Sequence, residues 1–430
     1  MIVVVGIGAG GWDEVPVRHQ QLIRGASVLL GGKRHLDLVP DVPGQRREPW
    51  PSPLRDGLPA LLGSVDDAVA LASGDPLVSG IGTTLIDLLG PENVRIEPAV
   101  SSVTLARARM GWPAESCVAV SLVGRDVALI ARELAPGRRI LALSSDGSTP
   151  ASVANLLVTA GFGASTLTVL GDLGAETEST QSATASTWAG ESPRLNIVAI
   201  ECVTDSVGFD TDPLVPRGSG STNGGTAGRA ASASERVETN TVAPSWVAGL
   251  PDEAFDHDGQ LTKRDLRASA LSRLAPAPGQ HLWDVGAGAG SVGIEWMRAH
   301  PTCTTTAIEA SPERAARIAR NAARLGVPGL SVVEGRAPDA LADLPAPDAI
   351  FIGGGATRPG VLDTCLAALR PGGRIVVHGV TLETEQLLAA AYQEHGGELT
   401  RISVETSAPI GTFTGWTPAR SVTQWTLTVG

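Results

Sequence analysis

The sequence predicts two α/β units joined by a flexible linker, and three observations carry that prediction. The chain has 430 residues, well beyond one ordinary core at roughly 150 residues per domain. On both sides of the middle, short β-branched runs alternate with longer stretches of helical period, the pattern of helices packed on mainly parallel sheets. Between about Gly208 and Thr241 that periodicity vanishes, and Arg217-Gly-Ser-Gly-Ser-Thr-Asn-Gly-Gly-Thr-Ala-Gly-Arg229 is small and polar, the composition of a linker. The halves share no common repeat, so each needs its own reading.

Composition excludes several classes of function. A hydrophobic content of 43% with 18% charged residues is that of a soluble globular protein, and no apolar run approaches the ~20 residues of a membrane span. The chain opens directly on the strand-like run Ile2-Val-Val-Val5, without the basic and apolar regions of an export signal, which predicts a cytoplasmic protein. Cys117, Cys202, Cys303 and Cys365 are scattered, a spacing of reduced core residues rather than of a disulfide framework or a metal site. A net charge of -12 opposes nucleic-acid binding, which needs a basic face. With only 3% aromatic residues, platforms for stacking bases are also disfavoured.

In the C-terminal half, His281-Leu-Trp-Asp-Val-Gly-Ala-Gly-Ala-Gly290 reads as an apolar strand entering a glycine turn, with helical character from Ser291 to His300. Gly286, Gly288 and Gly290 let the backbone turn sharply and approach a ligand, whose polar groups the amides at the helix start can receive. The same spacing also fits a plain tight βα turn. Thr304-Thr-Thr-Ala-Ile308 predicts a second strand ending at Glu309, where an acid about twenty residues past the turn can hold ribose hydroxyls. Ser311-Pro312 starts a helix with its apolar stripe on Ala315, Ile318, Ala322 and Leu325. Leu330-Ser-Val-Val333 and Asp348-Ala-Ile-Phe-Ile352 predict two further strands, the latter ending in Gly353-Gly-Gly355.

Together with Asp258-Gly-Gln-Leu-Thr-Lys-Arg-Asp-Leu-Arg267, Gly335-Arg-Ala-Pro338, Phe351-Ile-Gly-Gly354 and Pro371-Gly-Gly-Arg-Ile-Val-Val-His-Gly-Val-Thr-Leu-Glu383, these runs closely resemble the CbiT family. Its members are class I, Rossmann-like methyltransferases that methylate C15 and decarboxylate a precorrin side chain. The resemblance covers nearly all of 250 to 430. It implies that Thr262, Gly286, Ala287, Gly288, Ala289, Gly290, Ser291, Glu309 and Ala337 line an S-adenosyl-L-methionine site. Assembly into a homo-oligomer through this domain is a further implication.

In the N-terminal half the first strand meets a glycine turn at once, Val5-Gly-Ile-Gly-Ala-Gly-Gly11, with no acid where a dinucleotide site would want one. In Leu71-Ala-Ser-Gly-Asp-Pro-Leu77 a strand breaks at Gly-Asp-Pro and structure resumes in a helix around Thr83 to Leu89, a loop able to offer backbone groups to a cofactor. With Gly31-Gly-Lys-Arg-His-Leu36, Ala99-Val-Ser-Ser-Val103, Ser121-Leu-Val-Gly-Arg125 and Leu195-Asn-Ile-Val-Ala-Ile-Glu201, these runs resemble the CbiE family of class III, tetrapyrrole-type methyltransferases, over about residues 1 to 205. That fold holds its cofactor between two α/β subdomains, the first ending here near Glu115. The resemblance implies cofactor contacts at Gly6, Gly8, Gly10, Gly74, Asp75, Ser101 and Ser102. Leu122-Val123 before Gly124-Arg125 is a departure, since many relatives carry a histidine there.

A CbiE-like half followed by a CbiT-like half is the order of the fused CobL-type precorrin methyltransferases. The resemblance therefore implies three segments: 1–205 for C5 methylation, 206–244 as linker, and 245–430 for C15 methylation and loss of the ring C acetate carboxyl, giving precorrin-8. One S-adenosyl-L-methionine per domain and a precorrin as substrate follow, with neither nucleic acid nor membrane as partner. No metal-ligand cluster stands out in the sequence, so no metal is expected; that the substrate lacks inserted cobalt is implied by the resemblance to the late-cobalt pathway. Both methylations join carbon to carbon on an electron-rich tetrapyrrole, so alignment and water exclusion replace a nucleophile. Decarboxylation also needs a proton at carbon, for which His378 and Glu383 are candidates; a core hydrogen bond and a helix cap are their plainer readings. Lys33, Arg34 and His35, and Lys263, Arg264 and Arg267, are candidates for substrate carboxylates, though such clusters also serve as solvated faces. Two rivals remain: a methyltransferase for another acceptor, and a noncatalytic binding protein.

Overall fold

The computed structural model describes residues 1–65, 67–205 and 245–430; the expected linker at 206–244 lies outside the described residues. β-Branched runs at the start of the chain pair laterally into a first sheet. It comprises β1 (Ile2–Ile7), β2 (Val28–Gly31), β3 (Arg46–Pro49), β4 (Ala68–Ser73) and β5 (Val94–Glu97), in the order β3-β2-β4-β1-β5 with every pairing parallel. Val4, Val5, Ala70 and Leu71 are fully buried, as helices on both faces of a parallel sheet require. The chain then crosses at Gly111, which caps the helix Ser102–Met110 in a left-handed conformation, into a second, mixed sheet. Here β6 (Val118–Ser121), β7 (Arg139–Leu143), β8 (Thr166–Gly171), β9 (Ser179–Thr184) and β10 (Asn196–Glu201) lie in the order β6-β7-β10-β8-β9.

The C-terminal half forms one seven-stranded sheet. Its strands are β11 (His281–Val285), β12 (Thr304–Glu309), β13 (Ser331–Glu334), β14 (Ala349–Ile352), β15 (Arg374–Gly379), β16 (Glu398–Ile402) and, after a separate ribbon of β17 (Glu405–Ile410) with β18 (Phe413–Pro418), β19 (Val422–Thr428). The order is β13-β12-β11-β14-β15-β19-β16, parallel except for the pairings of β19. Alternation of side chains places Leu282, Ala307, Phe351 and Val376 under the helices Ser291–Ala299 and Pro312–Arg324, while Trp283, Val285, Ile350 and Ile352 face Leu362 and Leu388 on the opposite side. The expected stripe of the helix Pro312–Arg324 is the buried one: Ala315, Ile318 and Ala322 turn inward, and the Ser311 hydroxyl accepts the Arg314 N–H at the cap. Strand order reverses at β11, so the clefts beyond β11, β12 and β14 converge on the glycine turn, where open α/β sheets bind ligands.

Candidate functional site

A cavity of about 800 Å³ opens at the carboxyl ends of β11, β12, β14 and β15. Gly286 and Gly288 line it with φ of 71° and 60°. A Cβ on Gly286 would stand 2.8 Å from the Gly354 carbonyl oxygen, and one on Gly288 2.8 Å from that of Gln260, so only glycine lets these backbones close on the turn. Glu309 is buried at the tip of β12; one carboxylate oxygen accepts the Gly288 N–H at 2.9 Å and the other the Ser311 N–H at 3.0 Å. An ionised carboxylate has about four acceptor positions, which leaves capacity beside the turn for a pair of ribose hydroxyls. The donor set and the backbone cradle fit the nucleoside end of S-adenosylmethionine. Asp258 holds the covering loop down through an ion pair with Arg314 at 2.9 Å, which keeps its carboxyl well below the usual range.

Thr262, Ala287 and Ala337 also line this cavity. Ala289, Gly290 and Ser291 do not: Ala289 and Ser291 are buried, and a Cβ on Gly290 would meet Ile318 at 2.8 Å, so these three seat the following helix on its neighbour. Arg267 is corrected outright. It is fully buried, donates to Glu295 at 2.6 Å and to the carbonyls of Thr262 and Leu250, and its guanidinium lies 4.7 Å from the Phe255 ring centre. Each guanidinium nitrogen has a partner within the protein, so it braces the 250–262 segment instead of meeting substrate. Lys263 and Arg264 both line the cavity, where Lys263 pairs with Asp252 at 3.2 Å. Glu383 is exposed in the first turn of the helix Leu382–His395 and outside the cavity wall; its own backbone N–H and then the Thr381 hydroxyl lower its pKa. His378 does line the cavity, and burial pushes its pKa down to about 4.

Behind the turn, Asp284 is fully buried, and desolvation, with help from Glu309, pushes its carboxyl up to about 7 against the Gly293 N–H bond it accepts. A raised folded-state pKa means that the stability contributed by neutral Asp284 is complete below the unfolded value near ~4 and is lost as pH rises through 7. Denaturant titrations from pH 5 to 8 are therefore expected to show wild type losing stability relative to Asp284→Asn, by up to about 1.4 kcal/mol per pH unit below 7. A constant offset between the two proteins would contradict this.

A second cavity, of about 280 Å³, lies between the first and second sheets. One wall is the turn after β1 with Gly8, the Ser73–Asp75 break after β4, and Ser101 and Ser102; the other includes Leu143, Ser145 and Asn196. Gly74 takes φ 50° and donates to the Ile7 carbonyl at 2.9 Å, while Asp75 accepts the Leu77 N–H at 2.9 Å, fixing the loop. The Ser101 hydroxyl caps the helix Ser102–Met110. Gly6 and Gly10 fall outside this wall; a Cβ on Gly6 would lie 1.9 Å from the Gly74 carbonyl oxygen, so Gly6 lets β1 and the β4 turn touch. Arg34 lines the cavity and donates to the Ser73 hydroxyl at 3.0 Å, and desolvation lowers its pKa against the pull of Asp172. His35 stands 2.9 Å from the same hydroxyl, and burial, then Arg34, holds its pKa down to about 4. Lys33 is exposed and away from the wall.

Two family models match the two halves: Tetrapyrrole (Corrin/Porphyrin) Methylases at residues 1–189 and Precorrin methyltransferase domain at 253–429. Precorrin-6Y C(5,15)-methyltransferase [decarboxylating] of a Sinorhizobium species is 42% identical over 431 residues, spanning 100% of this chain and 96% of the relative. The protein of that name from Mycobacterium tuberculosis is 42% identical over 436 residues, with 100% of both chains covered. The chain belongs to the precorrin-6Y C(5,15)-methyltransferase family. Among solved structures, the C-terminal domain of precorrin-6Y C5,15-methyltransferase from Rhodobacter capsulatus is 44% identical and covers 42% of this chain and 98% of its own, with a TM-score of 0.41.

For a precorrin-6Y C(5,15)-methyltransferase, the residues that sequence reasoning missed are informative. Arg336, Arg358 and Arg420 are exposed and line the larger cavity, and among the described residues none has a carboxylate partner within ion-pair distance. Arg336 sits inside the Gly335-Arg-Ala-Pro338 run that marked the family, so its motif was visible but its direction was not. Arg358 and Arg420 reach the rim from loops far apart in sequence, and no local spacing connects them.

Proposed function

We propose that the chain methylates a reduced precorrin-6 intermediate at C5 in its N-terminal half and at C15 in its C-terminal half, with loss of the ring C acetate carboxyl, to give precorrin-8. The observation that carries this reading is full-length similarity to precorrin-6Y methyltransferases joined to two separate glycine-lined cavities, one in each half. Each cavity takes one S-adenosylmethionine, which supplies an electrophilic methyl group when bound. In the C-terminal half the 286–288 turn and Glu309 hold the nucleoside, and Arg264, Arg336, Arg358 and Arg420 meet the acetate and propionate groups of the macrocycle. In the N-terminal half the Ser73–Asp75 and Ser101–Ser102 segments hold the cofactor, and Arg34 faces a substrate carboxylate. Both halves gain rate by orienting carbon toward methyl in a site that excludes water. No helix among the described residues is long and apolar enough to cross a membrane, and the reading places the reaction in the cytoplasm.

The test is mass spectrometry of the tetrapyrrole formed from the reduced precorrin-6 intermediate and S-adenosylmethionine. The expected product has gained two methyl groups and lost one carbon dioxide; an unchanged tetrapyrrole, with cofactor binding intact, would overturn the reading in favour of another acceptor.

The β17–β18 ribbon supports a homo-oligomer built through the C-terminal domain. Ile410, Phe413 and Trp416 on it are 61%, 78% and 70% exposed, and among the described residues its strands pair only with each other, so a second copy would bury an otherwise wet aromatic face. Light scattering is expected to give an oligomer for the native chain and a folded monomer for Phe413→Ser with Trp416→Ser; a native monomer would refute this assembly.

A further inference from the structure

His378 stands at the end of β15, one residue past Val377, which is in register with Ile352 of β14 and through it with Val285 of β11. Its ring is therefore level with the glycine turn and two strands away, roughly 10 Å along the sheet, on the wall of the same cavity. The ring packs edge-to-face on Phe351, with centres 5.0 Å apart. Its Nε2 lies 3.0 Å from Oε1 of the fully buried Gln424. That oxygen also accepts from the Ser269 hydroxyl at 3.2 Å, and the Ser269 oxygen in turn accepts from Arg273 Nη1 at 3.1 Å. A guanidinium only donates, which leaves the Ser269 proton free to turn toward Gln424; with the amide oxygen placed between the two groups, Nε2 of His378 carries the ring proton. The lone pair is left on Nδ1, which no hydrogen bond among the described residues engages.

Of the other proton-exchanging groups of the wall, Asp265 stands exposed in the first turn of the helix Arg264–Leu274, and the rest are committed elsewhere. Asp252 pairs with Lys263 and Arg267, Glu309 holds two backbone amides, and guanidinium groups do not give up protons at neutral pH. We propose that His378 is the single acid and base of the C15 reaction, carrying one proton from C15 to the side-chain carbon that loses carbon dioxide, with Gln424 as the positioning residue that keeps Nδ1 free to do so. This deepens the proposed function and rests on it.

The atoms and charges of that reaction close without water. An electron pair of the macrocycle forms the C15–CH3 bond while the methyl–sulfur pair stays on sulfur, leaving a positive charge delocalised over the ring nitrogens. The pair of the breaking C–CO2 bond fills that sink, carbon dioxide leaves, and an exocyclic methylene remains on ring C. Nδ1 then takes the C15 proton, the C–H pair moves through the conjugated system, and the methylene receives the proton from Nδ1 to become methyl. C15 borders ring C, so one nitrogen above that ring serves both carbons. One proton is lost at C15 and one gained at the new methyl, so a neutral imidazole ends as it began. A depressed histidine pKa supports this, because the group must be unprotonated when the C15 proton is released.

The experiment is a single turnover by the full chain of a precorrin carrying deuterium at C15, in ordinary water, with the new ring C methyl read by mass spectrometry and NMR. Wild type is expected to deliver label into that methyl. His378→Asn is expected to form the methyl about 100-fold or more slowly, with S-adenosylmethionine binding by calorimetry and C5 methylation unchanged as controls for folding. Gln424→Leu loses the label transfer, while Gln424→Glu, which keeps an acceptor for Nε2–H, restores it; a merely structural glutamine would not separate the two. Complete washout of label in wild type, or His378→Asn working at the wild-type rate, overturns the role of His378 while the proposed function stands. A wild-type chain that leaves the precorrin unchanged overturns both.

Discussion

Gly288→Arg is expected to abolish C15 methylation and carbon dioxide release while C5 methylation continues at the native rate. The tetrapyrrole recovered then carries one new methyl and all of its carboxyl groups, and calorimetric stoichiometry falls from two S-adenosylmethionine per chain to one. The reason is local. Gly288 holds φ 60°, donates its N–H to Glu309 at 2.9 Å, and a Cβ there would press within 2.8 Å of the Gln260 carbonyl oxygen. A side chain at this position costs about 1–2 kcal/mol in backbone conformation. It also displaces the Asp258–Thr262 loop from the turn and projects a guanidinium where the nucleoside must lie. No wall of the smaller cavity includes a residue beyond Ile197, so the N-terminal site is untouched. Equal loss of both methylations in a variant that still melts cooperatively would contradict separate sites.

Where the reading of sequence succeeded and where it failed follows from what is local. The strand, glycine turn and helix around Gly286 are written in consecutive residues, and so are Glu309 at the tip of β12 and the Gly-Asp-Pro break after β4; each takes its place from backbone geometry that its own neighbours dictate. Side-chain direction is a different matter. Lys263, Arg264 and Arg267 look alike as a basic run, yet the helix Arg264–Leu274 turns Arg267 inward onto Glu295 and leaves Arg264 on the cavity wall. Only the partner twenty-eight residues away decides that. Glu383 falls to its plainer reading: the helix begins at Leu382, so the acid is an exposed first-turn residue whose carboxylate is held by its own backbone N–H and the Thr381 hydroxyl. Gln424 carried no signal at all. Its importance arises from β19 pairing antiparallel to β15, which sets Gln424 opposite His378, a register that no short segment encodes.

Gly74→Val is the complementary case, expected to slow C5 methylation by about 100-fold, the cost of misplacing a reacting group by an ångström or so, and to leave C15 methylation and decarboxylation intact. Gly74 takes φ 50°, and a Cβ would sit 3.0 Å from the Val100 carbonyl oxygen and 3.3 Å from the Ser101 Cα. The Gly74 carbonyl also accepts the Ala99 N–H at 3.2 Å, so the turn after β4 and the segment after β5 are held edge to edge with nothing between them. Valine has to part them. That moves Asp75 on one side and Ser101 and Ser102 on the other, three residues of one wall of the smaller cavity, without entering the core of either sheet. The tetrapyrrole from this variant gains one methyl and loses one carbon dioxide, the pattern opposite to that of Gly288→Arg. Mixing the two variants then decides how the halves cooperate. Recovery of the doubly methylated, decarboxylated product from the mixture requires that intermediates leave one chain and enter another, whereas a mixture that yields only the two partial products requires transfer within a single assembly.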